Sequence, residues 1–520
     1  MRILEQLSRG GRRLDLAVYR KLGIEGANIA RVVSGIVVVV LIAAAFLRLG
    51  QGASRLEMPT TGKGGSSSET TSTGEAATSV DATSEESARV GASTAKKGTQ
   101  RSASETAARA SALLATGRGV SDSAITVGVI LVPGLAEMRA AMVGSENCGN
   151  DCGDNRIQAQ AVIDLINARG GVAKRKLVPI YHDLDIKENF DVSAQEACSK
   201  FTEDHQVFAV VDQDGSGPWA EQMTACLAKR GTPRIGPMET DRKFADDFAP
   251  YYYDPSGITL TRAGRIHVAG LVKLGFFEPA AKIGLLRYDR PTDERAAEQG
   301  IKLALAAQGI KLADEVAVSY PSSISDLSVT ASQLSSASLR FKTNLITHVL
   351  PQDRRDLAYL FGTNAESQSY RPRYGLNSFS QPHDLQGQLP ASQLRRAVGV
   401  GWMPLTDVDS PRIPTPNATR QACIDAMKKV GVAAPELNQK ALSYCDDLFF
   451  LKVVGDSAKT LTTAGFQAAA EALGTTFEPA LTHGARFGPG IHDGASSARP
   501  LAFDDACSCF YYVGGADPVD

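Results

Sequence analysis

From residue 125 onward, short β-branched runs alternate with amphipathic stretches, and this alternation predicts a parallel sheet. The run Ile-Thr-Val-Gly-Val-Ile-Leu at 125–131 offers no polar face, as a strand covered on both sides requires. Residues 157–168 then set Ile157, Ala161, Leu165 and Ala168 on one helical face, and Gly170-Gly171 stops the helix. Strands at 177–181 and 207–211 flank a helix centred on 194–201, and a helix over 219–229 ends at Gly231 before Arg-Ile-Gly-Pro at 234–237. Strands alternating with helices of this length place binding sites beyond the carboxyl ends of the strands.

A second alternating region follows Pro250 and Pro255, which with Gly257 mark a connection. It predicts helices at 260–273, 293–308 and 355–361, and strands at 282–288, 315–319, 344–350, 373–376 and 397–403. The pattern then turns helical at 419–430, 438–451 and 460–473, and closes on a strand pair at 499–503 and 510–513. At 520 residues the chain exceeds one core, and two lobes are expected.

The part before this alternation has a different character. Residues 32–47 carry no charge, and up to Arg31 seven Lys or Arg face only Glu5, Asp15 and Glu25. By the positive-inside rule the amino terminus stays in the cytoplasm and everything after Arg48 is exported. The run falls slightly short of the ~20 residues that a spanning helix prefers, so Arg31 and Arg48 would snorkel. Ala43-Ala44-Ala45 is an acceptable cleavage site, but the long basic flank favours an uncleaved signal anchor. No cysteine follows closely, which excludes a lipoprotein anchor. Residues 51–122 are Ser, Thr, Gly, Ala and Glu with almost no apolar bulk, so they form a disordered tether of roughly 45 to 50 Å average span. A formal charge of −2 gives no electrostatic case for a nucleic-acid partner.

All eight cysteines lie beyond the apolar run, as disulfides on an exported domain would. Cys198 and Cys226 sit on helices that flank one strand and are the first expected bridge; Cys423 with Cys445 is the second. Cys148 and Cys152 form a third expected pair, since zinc would need a histidine that their Gly/Asn/Asp loop lacks.

From residue 125 to the end the chain resembles the type 1 periplasmic binding proteins, in the branch of the branched-chain amino-acid receptors of ABC transporters. The resemblance rests on the strand at 125–131 and on Ile-Asp-Leu-Ile-Asn-Ala-Arg-Gly-Gly-Val at 163–172, followed by a strand ending at Asp183. It is supported by Val-Phe-Ala-Val-Val at 207–211 with a Gly/Ser loop, by the strand and turn at 282–289, and by Phe-Gly-Pro-Gly-Ile-His-Asp-Gly at 487–494. It implies an α/β fold of two Rossmann-like lobes with parallel sheets, joined by a three-strand hinge and closing on a small molecule. The expected layout is a basic cytoplasmic segment 1–31, an anchor 32–49 and a linker 50–123. The first lobe would comprise 124–254 and 404–487, and the second 255–403 and 488–520.

Candidate ligand contacts lie at strand ends. Gly215 and Gly217 let backbone N–H groups and the Ser216 hydroxyl converge on one point, a seat for an anionic group, and the similar receptors contact ligand with this loop. The same stretch imitates a calcium loop through Asp212, Asp214, Ser216 and Gly217, but Met223 stands where the closing glutamate belongs. Glu239 and Thr240 follow the fourth strand, where the family binds ligand. In the second lobe Tyr288, Asp289 and Arg290, then Gln352, then Asn377 and Ser378 end successive strands. The resemblance puts an acid for a ligand ammonium near Ser378, and its absence weakens an amino-acid assignment.

The expected function is an extracytoplasmic receptor for a small polar molecule, amino-acid-like or an amide, presenting it to an ABC permease without cofactor or catalysis. Two alternatives stay open. One is a sensing or scaffold ectodomain that signals to a separate membrane partner. The other is a metal-dependent glycosyltransferase, resting on the Asp-x-Asp of Asp183 and Asp185. No serine elbow, phosphate loop or dinucleotide fingerprint supports other chemistry.

Overall fold

The computed structural model describes residues 117–134, 153–185, 187–213 and 219–519. The basic segment, the apolar run at 32–47, the linker up to residue 116, Cys148, Cys152, and Gly215, Ser216 and Gly217 lie outside the described residues. Among the described residues no helix is long and apolar enough to cross a membrane.

Two sheets organise the chain. The first is parallel throughout: β1 (Ala124–Leu131), β2 (Lys176–Asp183), β3 (Ala209–Asp212), β4 (Arg234–Ile235) and β5 (Tyr252–Tyr253), in the order β2-β1-β3-β4-β5. The apolar run of β1 is explained by its central place, with Ile125, Val127, Val129 and Ile130 fully buried. The second sheet holds β6 (Ile283–Tyr288), β7 (Leu312–Val318), β8 (His348–Pro351), β9 (Arg373–Asn377) and β10 (Val398–Gly401) in parallel. Antiparallel β11 (Ser497–Asp504) and β12 (Cys509–Tyr512) extend it beyond β10, with β13 (Asp517–Pro518) beside β11.

The chain crosses between the lobes over residues 254–259, 402–417 and 482–496. The second crossing returns it to the first lobe, where the helices Ala418–Lys429, Gln439–Ser457 and Thr463–Glu471 complete a core begun more than 200 residues earlier. Phe450 is fully buried there, with Tyr253, Phe466, Phe477 and Phe487 packed around its ring at centroid separations of 4.6–6.0 Å. Truncating such a residue to alanine costs about 3–5 kcal/mol. The first and third crossings pair with each other. Asp254 N–H donates to His492 O at 2.8 Å, and Gly494 N–H donates to Asp254 O at 2.7 Å.

Cys198 bonds Cys226 across two neighbouring helices, and Cys423 bonds Cys445, as expected. Cys507 and Cys509 form a further disulfide in the β11–β12 turn, which the sequence reading did not pair.

Among the elements that depart from expectation, two are instructive. Tyr252–Tyr253, read from its flanking prolines as part of a connection, pairs with β4 as a buried strand. The helix Leu327–Thr343 was not anticipated, because its serines and threonines mask a buried stripe of Thr330, Leu334, Ala337, Ser338 and Phe341. That stripe has helical spacing, and it was the available signal.

Candidate functional site

A cleft lies between the lobes at the carboxyl ends of both sets of parallel strands and holds a cavity of about 80 Å³. From the first lobe it receives Gln213 after β3, Met238 and Glu239 after β4, and Asp254 after β5. From the second it receives Ser378 and Phe379 after β9 and Met403 after β10. The helix Gln439–Ser457 forms another wall. It is buried on nearly every side, and its spacing of three and seven puts Lys440, Ser443 and Asp447 on the face toward the cleft.

Charge is dense here. Asp212 and Arg234, both fully buried, pair at 3.0 Å at the end of β3, and the Arg234 guanidinium also donates to Pro237 O at 2.9 Å. That anchors the β4 loop. The loop passes so close to β3 that a Cβ on Gly236 would meet the Asp212 carbonyl oxygen at 2.1 Å, and φ of +150° there also favours glycine. Asp254 turns the first crossing by accepting from Gly257 N–H at 2.6 Å and Ser256 N–H at 3.2 Å. Burial nonetheless lifts its carboxyl to about 6. Asp446 accepts from the Ser256 hydroxyl and from Leu481 N–H at 3.0 Å, tying the helix to the first crossing and to the residue before the third, and burial lifts it to about 6 as well. Asp447 accepts from Gln213 Nε2; burial first, then Asp254 and Asp446, push its carboxyl well above the ordinary range.

Beside this pocket the lobes meet through ion pairs. Arg290 of the second lobe bonds Asp293, reaches Asp353 at 3.2 Å and Glu221 of the first lobe at 3.7 Å, donates to Glu239 O at 3.2 Å, and lies 4.0 Å over the Tyr320 ring. Arg354 lies 4.0 Å from Glu239 and 3.2 Å from Asp356, and Arg295 holds Asp241 at 2.7 Å. Burial raises the Glu239 and Asp353 carboxyls against these cations.

A family model described as periplasmic binding protein matches residues 153–496. The chain belongs to the periplasmic binding protein family. Solved structures of the same fold include a branched-chain amino-acid ABC transporter protein from Thermus thermophilus with bound valine, 14% identical, covering 76% of this chain and 96% of that one at a TM-score of 0.55. A fatty-acid ABC transporter substrate-binding protein from Thermomonospora curvata is 15% identical, covering 78% and 94%, with a TM-score of 0.53. A solute-binding protein from Rhodopseudomonas palustris HaA2 in complex with p-hydroxybenzoic acid is 12% identical, covering 76% and 98%, with a TM-score of 0.55. A search of curated protein sequences returns no match. At these identities the likeness extends to the fold alone.

In this periplasmic binding protein the cleft brings together Glu239 and Ser378 of the residues singled out from sequence. The Ser378 hydroxyl is fully engaged, donating to Asp407 at 2.8 Å and accepting from Trp402 N–H at 2.8 Å and Met403 N–H at 3.2 Å. Asn377 caps the turn after β9 through Phe379 N–H. Tyr288, Arg290 and Gln352 do not line the pocket, because the protein's own groups already occupy them. The Tyr288 hydroxyl donates to Asp356 at 3.0 Å, and Gln352 Nε2 donates to Asp293 O at 2.8 Å. Thr240 is buried against Glu221, and Asp289 is exposed, accepting from Tyr320 N–H. Asp183 pairs with Arg156 at 2.9 Å, and Asp185 accepts from Lys187 N–H. Sequence reasoning missed Gln213, Lys440 and Asp447. Polar residues at helical spacing inside an otherwise apolar helix were the signal for the last two.

Proposed function

We propose that this protein is an extracytoplasmic solute receptor, held at the membrane by residues 32–49, that closes two lobes on a small polar molecule and presents it to an ABC-type permease. The observation that carries the reading is the convergence of strand-end loops from both lobes, and of two crossings, on one cavity. A solute touching both walls favours the closed arrangement, and a membrane partner reads that closure. The ligands of the neighbouring structures range from valine to p-hydroxybenzoic acid, so the fold supports a small solute without choosing one.

The test is thermal unfolding of the protein against amino acids, amides, polyamines, sugars and anions, with and without a metal chelator. A hundredfold excess over the dissociation constant adds about 2.7 kcal/mol. Stabilisation by one compound class, unaffected by chelator, is the expected result. Flat curves for every class would remove the receptor reading.

A further inference from the structure

We propose that the wall formed by Asp447, Gln213 and Asp254 is a seat for a positively charged, hydrogen-bond-donating group of the solute, an ammonium or a guanidinium. This deepens the receptor reading and rests on it.

The cleft leaves a buried acceptor unsatisfied. Gln213 is 5% exposed, and its Nε2 is committed to Asp447. Its Oε1 is buried with no hydrogen-bond partner among the described residues. It is an acceptor on a residue that lines the cavity. A buried acceptor without a donor is costly, and an incoming N–H group would recover that cost.

Charge balance points the same way. Of the carboxyl groups that line the cavity, Glu239 is answered by Arg354 of the other lobe, which leaves Asp254 and Asp447 against the single ammonium of Lys440. Lys440 already acts on Asp212 and eases its ionisation. Arg234, the other nearby cation, is spent on Asp212. The opposite wall has no charge to answer with, since the Ser378 hydroxyl is saturated by Asp407 and two backbone N–H groups.

Asp447 stands among other acids. Asp254, Asp446 and Asp212 crowd it with negative charge, with Arg234 as the opposing cation, while the buried Tyr252 and Tyr444 side chains bring no positive charge. Burial and these acids favour the protonated carboxyl in the empty cleft. An arriving cation favours the carboxylate, so binding releases a proton, and affinity for the cation rises with pH across the acidic range.

The experiment is calorimetric titration of the whole protein with putrescine and a set of L-amino acids with uncharged side chains, each run beside its fully N-acetylated twin, in two buffers of different ionisation enthalpy. At least one amine is expected to bind with proton release, its acetylated twin at least tenfold more weakly, and Asp447→Asn is expected to lose tenfold or more. Gln213→Leu, which keeps the carboxylate, is expected to lose a smaller factor. Acetylated or anionic compounds binding as well as the amines, with no proton release, would overturn the cation seat and leave the receptor standing. The wild-type proton count decides this even where Asp447→Asn fails to fold. Absence of binding by every compound, here and in the wider panel above, would overturn both.

Discussion

On one side of the cleft Arg290 and Arg354 sit among Glu221, Glu239, Asp293, Asp353 and Asp356; on the side toward the crossings Asp254 and Asp447 face a cavity. Both regions bury carboxylates, yet the first answers them with the guanidinium groups of Arg290 and Arg354, which pair with Asp293, Asp353 and Asp356 in their own lobe and with Glu221 and Glu239 across the cleft, and the second answers them with glutamine and backbone N–H groups. Buried charge is tolerated when paired and is costly when one partner is missing. The pairs of Arg290 with Glu221 and of Arg354 with Glu239 therefore add to the contact between the lobes, while the crossing side keeps an electrostatic deficit. On the proposed receptor reading, specificity belongs to the unpaired side.

Breaking the paired side gives the largest expected effect. Arg290→Met leaves Asp293 and Asp353 without their cation and is expected to destabilise the protein by about 3–5 kcal/mol in denaturant unfolding. A loss below about 1 kcal/mol would erase the contrast between the two regions.

The pH dependence comes next. Asp254 and Asp446 have carboxyls raised to about 6, so the folded protein binds protons that the unfolded chain has released. Stability of the empty protein should fall as pH rises from about 4 through 6, because ionising each buried acid costs on the order of 3 kcal/mol. A flat profile over that range would mean that the carboxyls are already compensated.

Asp447→Asn sharpens the comparison by its sign. It removes a crowded carboxylate while keeping an acceptor for Gln213, so the empty protein is expected to hold its stability or gain about 1 kcal/mol at pH 7, opposite to Arg290→Met. Chemical denaturation of the two variants side by side reads it. The smallest effect belongs to an exposed control. Lys243→Ala, which breaks the surface pair with Asp247, is expected to change stability by about 0.5 kcal/mol or less.

The strands were legible because the sheets are covered on both faces and their residues are correspondingly apolar, as 125–131 and 283–288 show. The helix Leu327–Thr343 was not, since its buried face includes threonine and serine, which read as loop. The site divides in the same way. Glu239 and Ser378 follow strands and could be located from topology. Asp447 could not be assigned a role, because its helix enters the cleft only after the chain has crossed twice. Tyr288, Arg290 and Gln352 sit where a ligand was expected, but nothing local in the sequence reveals that Asp293, Asp353 and Asp356 claim them first.

The three crossings have a mechanical consequence. Two bodies joined by one strand swing and twist freely; joined by three, with Asp254 and Asp493 stitched side by side, they keep one easy rotation, as a door does. The state of the two lobes then collapses to a single angle. Because Asp254 and its neighbours stand close to the axis, a displacement of a fraction of an ångström there becomes a swing many times larger at the distant rim, where a partner would feel it.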